Sequence, residues 1–369
     1  MSRKLSIAYV AHSLRSDWNN GNAHFLRGLL RALGAIGHHV SIFEPETEWS
    51  LENLQAEPLG SQSLRDFSTT YTDLNIETYS PSDNVPLWLY RLRHTDIVIL
   101  HEWNPPELAR LLLQLRDHLG FRLVFHDTHH RASSSPEQIE LFQLQRFDGI
   151  LAFGQALERI YRDRFGLSRV WTLHEAADTT VFHPLASQEK QQDVVWIGNW
   201  GDGERSDEIC EFLLEPVAQL PGVRGKIYGV RYPDEGLEAL RHAGCQYGGY
   251  LPNLCAPAVY ASSRLTVHIP RQQYASAMVG IPTIRVFEAL ACGIPLISAP
   301  WQDTEQLFRP GDFRAVHSGD EMKAAVGELL KNPELAERQA RRGLETVLSH
   351  HTCRHRAQQL TSILEDLLQ

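Results

Sequence analysis

Short apolar runs of strand type alternate with helical patterns along the whole chain, and after Pro184 the alternation starts afresh. Parallel strands need a crossover between them, usually a helix, so this pattern predicts βαβ units and an α/β fold. In the first half, strands are predicted at residues 5–11, 39–43, 96–101, 122–126, 149–153 and 170–174. They are apolar on both faces, as strands covered by helices should be. A helix is predicted over 22–36, where Phe25, Leu26, Leu29, Leu30, Leu33 and Ile36 recur every three or four residues and Gly37 supplies a stop.

A polar linker at 184–193 leads into a second set: a strand at 194–198, a helix at 206–220 with Ile209, Phe212, Leu213 and Val217 on one face, and strands at 225–230, 265–269, 294–298 and 313–316. Two consecutive open sheets predict two Rossmann-like domains, 1–184 and 185–350, facing each other across a cleft. Residues 351–369 are expected to form a helix packing back on the first domain. Ligands of such sheets sit at the carboxyl ends of the strands. The polar segment 44–86, rich in Ser, Thr and Pro, fits this scheme poorly and reads as an inserted lid or as short elements that periodicity does not reveal.

Composition narrows the classes of function. The 369 residues carry a formal net charge of −10, divided evenly: 17 basic and 22 acidic residues up to Pro184, 18 and 23 after it. No basic domain is present to grip phosphate backbones, so no nucleic-acid partner is expected. Five scattered cysteines without a C-x-x-C pair argue against a disulfide framework or a zinc ribbon. The apolar run after Met1-Ser2-Arg3-Lys4 is too short and interrupted for a signal peptide, and no stretch is long and apolar enough to span a membrane. A soluble, cytoplasmic protein is expected. The 18 histidines raise the question of metal.

The most informative segment runs from Gly280-Ile281-Pro282-Thr283 through Arg285-Val-Phe-Glu288-Ala-Leu-Ala-Cys-Gly293 into a buried strand. It predicts a helix over 283–292 with Arg285 and Glu288 three apart on one face. That pair is either a surface salt bridge or a cleft feature, where Arg285 and the helix N-terminus would attract an anion. A second cluster, Trp196-Ile-Gly198-Asn199-Trp200-Gly201-Asp202-Gly203-Glu204-Arg205, places a glycine-rich turn between strand and helix, as close approach to a pyrophosphate requires. Arg271 follows another strand end, while Tyr228, Tyr250 and Leu251 either pack or stack on a base. In the first half, Gly21 lies in the loop Asn19-Asn20-Gly21-Asn22 before the first helix, with Asn22 as a candidate cap. His12, His101-Glu102-Trp103 and His126-Asp127-Thr128-His129-His130 fall at strand ends. His126, Asp127, His129 and His130 are zinc ligands by type, but their crowding makes joint coordination awkward.

The 280–298 segment resembles the donor-binding motif of GT-B glycosyltransferases of the retaining, family-four-like type. The string Arg285 to Gly293 and the ending His351-Thr352-Cys353-Arg354-His355-Arg356-Ala357 resemble the branch related to the spore-maturation protein CgeB. The resemblance implies a transferase that moves a sugar from a nucleoside-diphosphate donor to an acceptor (glycan, small molecule or protein) with retention, needing no metal or other cofactor. It implies that Glu288 binds the ribose hydroxyls, that Gly198, Asn199, Trp200 and Gly201 form the diphosphate loop, and that Arg205 neutralises the leaving phosphate. His126 and Asp127 would serve the transferred sugar or the acceptor, His12, His101 and Glu102 would line the acceptor side, and the Gly21 loop would approach the donor phosphates. The family often carries a second Glu eight residues before the first, where this chain has Gly280. Backbone amides at 280–283 are then expected to substitute for it. The alternatives are a nucleotide-sugar epimerase and a non-catalytic nucleotide-sugar-binding module.

Overall fold

A computed structural model describes residues 3–186, 188–201 and 203–369. Met1 and Ser2 of the amino-terminal stretch, Ser187 of the linker and Asp202 of the glycine-rich turn lie outside the described residues. The chain divides into two compact units. The first comprises residues up to Glu175 together with Cys353–Gln369, and the second spans Ala176–Thr352.

In the first unit seven parallel strands, β1 (Ser6–Val10), β2 (His39–Pro45), β3 (Ile76–Tyr79), β4 (Ile97–His101), β5 (Arg122–Asp127), β6 (Gly149–Ala152) and β7 (Val170–Thr172), lie in the order β3-β2-β1-β4-β5-β6-β7. The order reverses between β1 and β4, where the connections leave to opposite sides and open a crevice at the carboxyl ends. Ile97, Val98, Ile99 and Leu100 of β4 are all buried, which is why that strand reads as an unbroken apolar run. The helix Ala23–Ala35 covers one face with Phe25, Leu26, Leu29, Leu30 and Leu33. The helix Cys353–Leu368 belongs to this unit: His38 Nε2 and Thr361 Oγ1 lie 2.8 Å apart, and Arg356 Nε donates to His174 O at 2.9 Å.

The segment 44–86 is not a lid. It forms helices Trp49–Ala56 and Gly60–Thr70, the edge strand β3, and the start of helix Val85–Leu92. Glu48 starts the first of these, its carboxylate accepting from Ser50 N and Leu51 N at 2.6 Å each. Arg27, itself buried, lies over the rings of Phe67 and Tyr71 and donates to Leu14 O at 2.6 Å, tying the second helix to the sheet.

Six parallel strands form the second unit: β8 (Gln192–Ile197), β9 (Gly225–Tyr228), β10 (Gln246–Tyr247), β11 (Ser263–His268), β12 (Leu296–Ser298) and β13 (Arg314–Ala315), in the order β10-β9-β8-β11-β12-β13. The reversal falls between β8 and β11. The predicted helix 206–220 is helical over 206–218 but widens to a π-helix at Cys210–Leu214. Pro216 follows directly and brings no N–H to bond the carbonyl four residues back, which favours such a widened turn. Residues 176–184 belong to the second unit rather than the first, because Ala177 bridges to Thr352 and its N–H donates to His351 O at 3.0 Å.

Candidate functional site

In the second unit the loop after β8 is organised around Arg205. Its guanidinium donates to Asn199 O at 2.9 Å, to Asn199 Oδ1 at 2.6 Å and to Ile269 O at 3.3 Å, and stacks 5.2 Å from the Trp196 ring centre. Gly201 makes the turn at φ +99°, and a Cβ there would stand 2.5 Å from Arg205 Cγ. Only glycine suits that position. Arg271, at the end of the next strand in the sheet, pairs with Glu204 and reaches Asn199 Oδ1 at 3.5 Å. Burial lowers the pKa of Arg205 to about 10, and the nearby charges of Arg271 and Arg285 push it the same way. Arg205 and Arg271 thus meet on Asn199 Oδ1 where β8 and β11 end, at the reversal of strand order. Arg271 already has Glu204 as its counter-charge, whereas Arg205 bonds neutral oxygens and is the group suited to an anion.

Arg285 and Glu288 share one face of the helix Ile284–Ala291, as their spacing predicts, and form an ion pair. It is no surface salt bridge: Glu288 has no exposed area. Thr283, at the N-cap, directs its hydroxyl to His268 Nε2 at 3.0 Å, and His268 Nδ1 lies 2.9 Å from Ser298 Oγ. Burial lowers His268 to about 3, so it is neutral. Of the 280–283 segment, Gly280, Ile281 and Pro282 are buried, and Ile281 O accepts from Trp301 Nε1 at 3.1 Å.

Gly198 O accepts from Tyr232 OH at 3.0 Å, and Gly229 O from Tyr247 OH at 2.7 Å; the two tyrosine rings lie 4.9 Å apart beside these strand ends. Tyr228, by contrast, packs its ring onto Gly248, and Tyr250 and Leu251 are half-buried beyond β10. The side chain of Trp200 is buried in the core against Tyr232, so this residue faces the loop with its backbone. Sequence reasoning missed His268, Glu204 and Tyr232; His268 closes a strand, and Glu204 was quoted in the loop without a role.

In the first unit the expected acceptor-side residues gather at the ends of β1, β4 and β5. His126 and Asp127 are both completely enclosed, as Glu288 is in the second unit. His126 Nδ1 lies 2.8 Å from Tyr9 OH, with Phe25 and His101 edge-on to the ring, and burial lowers it to about 3. Asp127 accepts from Tyr161 OH and from His129 N at 2.9 Å, and burial raises it to about 6. His101 Nε2 lies 3.0 Å from Thr128 Oγ1, and Asn22 Nδ2 donates to the same oxygen at 2.9 Å instead of capping its helix. Glu102, fully buried, pairs with Arg131. Burial, then the charge of Asp127, raises its pKa against the pull of Arg131. His12 stays partly open, 3.5 Å from Glu48, and burial lowers it to about 4. Gly21 is half-buried in the loop before the first helix. Among the described residues no group of three or more His, Cys, Asp or Glu is placed to hold a metal; His129 and His130 stack on each other 4.0 Å apart.

A family model described as "Glycosyl transferase-like" matches residues 205–362. No curated protein matches the sequence significantly. Solved structures align along nearly the whole chain. HepE of Anabaena, in complex with UDP and glucose, has a TM-score of 0.72 at 13% identity, covering 98% of this chain and 99% of its own. Sucrose-phosphate synthase of Thermosynechococcus elongatus gives 0.65 at 17%, with 99% of each chain covered. An alpha-glucosyltransferase in complex with UDP and a 13-mer DNA gives 0.72 at 12%, covering 98% and 100%. The fold is therefore that of the GT-B glycosyltransferases, two parallel-sheet α/β domains. Among the described residues no helix is long and apolar enough to cross a membrane.

Proposed function

We propose that this protein is a glycosyltransferase that takes a sugar from a nucleoside-diphosphate donor held by the second unit. The observation that carries the reading is Arg205, held with Arg271 on Asn199 Oδ1 at the reversal of strand order, beside a glycine turn that lets a ligand approach the backbone. Arg205 would stabilise the departing diphosphate, which is where charge develops during transfer. Glu288, held by Arg285, would turn to the ribose hydroxyls when Arg285 engages phosphate. Tyr232 and Tyr247 offer ring surface for the base. No metal is needed for this arrangement, since guanidinium groups supply the positive charge.

Retention of anomeric configuration fits the same arrangement: the leaving phosphate oxygen, left on the face where the acceptor hydroxyl attacks, accepts its proton. The likeness of Arg285–Gly293 to the CgeB-related branch supports this finer reading. The acceptor half carries imidazoles that burial keeps neutral, and a net charge of −5 up to Pro184, which favours an acceptor other than nucleic acid.

UDP-glucose, the donor named with one HepE structure, is the first probe. Incubation with the full chain should release UDP, together with free glucose when water is the acceptor or with a glucosylated acceptor when one is supplied, and Glu288→Gln should reduce UDP release about a hundredfold or more. Turnover of no UDP-, GDP-, dTDP- or ADP-sugar would refute the reading. Recovery of an intact nucleotide sugar with altered stereochemistry would identify an epimerase instead.

A further inference from the structure

Trp103 stands at the carboxyl end of β4 with 40% of its surface exposed. It is nonetheless held firmly. Arg131 lies over its ring, 4.1 Å from the centre, His129 meets it at 4.8 Å with an interplanar angle of 66°, and His12 stands 6.3 Å away. Arg131 is itself fixed by two bonds to Glu102, one to the carboxylate and one to the backbone carbonyl. An exposed indole normally moves among rotamers; here its orientation is set by a buried ion pair, so a ligand meeting it loses little freedom in doing so.

We propose that Trp103 is the platform on which a carbohydrate acceptor lies, one apolar face of a pyranose ring against the indole. This rests on the glycosyltransferase reading and names its acceptor class. A pyranose presents C–H groups on one face and hydroxyls around its rim. The site offers the complement: an aromatic surface edged by the imidazoles of His12 and His129. The nearest guanidinium is spent on Glu102, so little selects for phosphate or carboxylate. A polynucleotide could also stack a base on the ring, but it would need unpaired cations along its backbone.

The test is binding of the labelled full chain to a microarray of neutral glycans, using wild type, Trp103→Ala and Trp103→Phe, with melting temperatures verifying that both variants fold. The proposal expects a subset of glycans to be bound by wild type, binding weakened about tenfold or more by Trp103→Ala, and most of it restored by Trp103→Phe, which keeps a stacking face. UDP titration of wild type tests the underlying reading separately. If UDP binds while no glycan does, or glycans bind Trp103→Ala as well as wild type, or a single-stranded oligonucleotide binds in their place, the Trp103 assignment is wrong. If UDP itself does not bind, the donor reading fails first.

Discussion

At position 280 the backbone sits at φ +101°, and a Cβ would stand 2.2 Å from Thr304 Oγ1. A side chain there, such as the glutamate of the motif that this segment resembles, would be strained by the backbone conformation and crowded by Thr304. Gly280→Ala should destabilise the protein by about 1–3 kcal/mol, because a left-handed residue gains a Cβ against a neighbour that must move; urea unfolding reads this, and a change below about 0.5 kcal/mol would show that the turn relaxes freely. The same residue marks how far the sequence could be read. Gly280, Arg285 and Glu288 were visible as a motif, and Arg205 as the end of a glycine-rich loop. That Trp200 turns inward was not legible, because a tryptophan beside a glycine turn has the same spacing whether it faces ligand or core. The enclosure of His126 and Asp127 was hidden for a related reason: a strand end marks the crevice, but side chains alternate between opposite faces of the sheet, and enclosure depends on the helices that cover them.

Strands and their order-reversal points carry most of the site, and these elements were the most legible part of the chain. Apolar runs marked all the central strands. Two edge strands escaped, β3 with the sequence Ile-Glu-Thr-Tyr and β10 with only two residues, since an edge strand lacks the apolar flanks that make a central one visible. The helices around β3 were hidden because each buries only a few side chains, such as Leu51 and Leu54 or Phe67. Strand-end histidines also give the fold a pH response. His126, one residue before the end of β5, and His268, the last residue of β11, are held neutral, each lowered to about 3 by burial. An unfolded histidine takes its proton near pH 6.5, so as pH falls below that value the unfolded state gains protons that the folded state refuses. Stability then declines by about 1.4 kcal/mol per pH unit for each such histidine, down to about pH 3. Asp127, raised to about 6 by burial, acts in the opposite sense between about pH 6 and 4, since its protonated form is favoured in the fold. Glu102 and Glu48, also raised by burial, act with Asp127, but His12 and His101 are lowered by burial too, so four histidines are set against three carboxylates. The melting temperature should therefore fall between pH 7 and pH 5; a flat or rising profile would show that these imidazoles accept protons in the native state.

Across the whole molecule, the chain twice builds the same kind of crevice, with different chemistry in each. The first unit lines its strand ends with neutral imidazoles, a buried ion pair and one exposed indole, and the second gathers guanidinium groups around a glycine turn. Of the 18 histidines that raised the question of metal, His12, His101 and His126 gather at the first unit's strand ends, where burial lowers the pKa of each. The claim on which the rest depends is that the arginine cluster of the second unit receives a diphosphate. Isothermal titration of wild type and Arg205→Ala with UDP and with uridine tests it directly. The account predicts that UDP binds wild type at least about tenfold more tightly than uridine does, and that Arg205→Ala removes most of that difference while leaving uridine affinity nearly unchanged. Equal losses for UDP and uridine, or no preference for UDP in wild type, would contradict it.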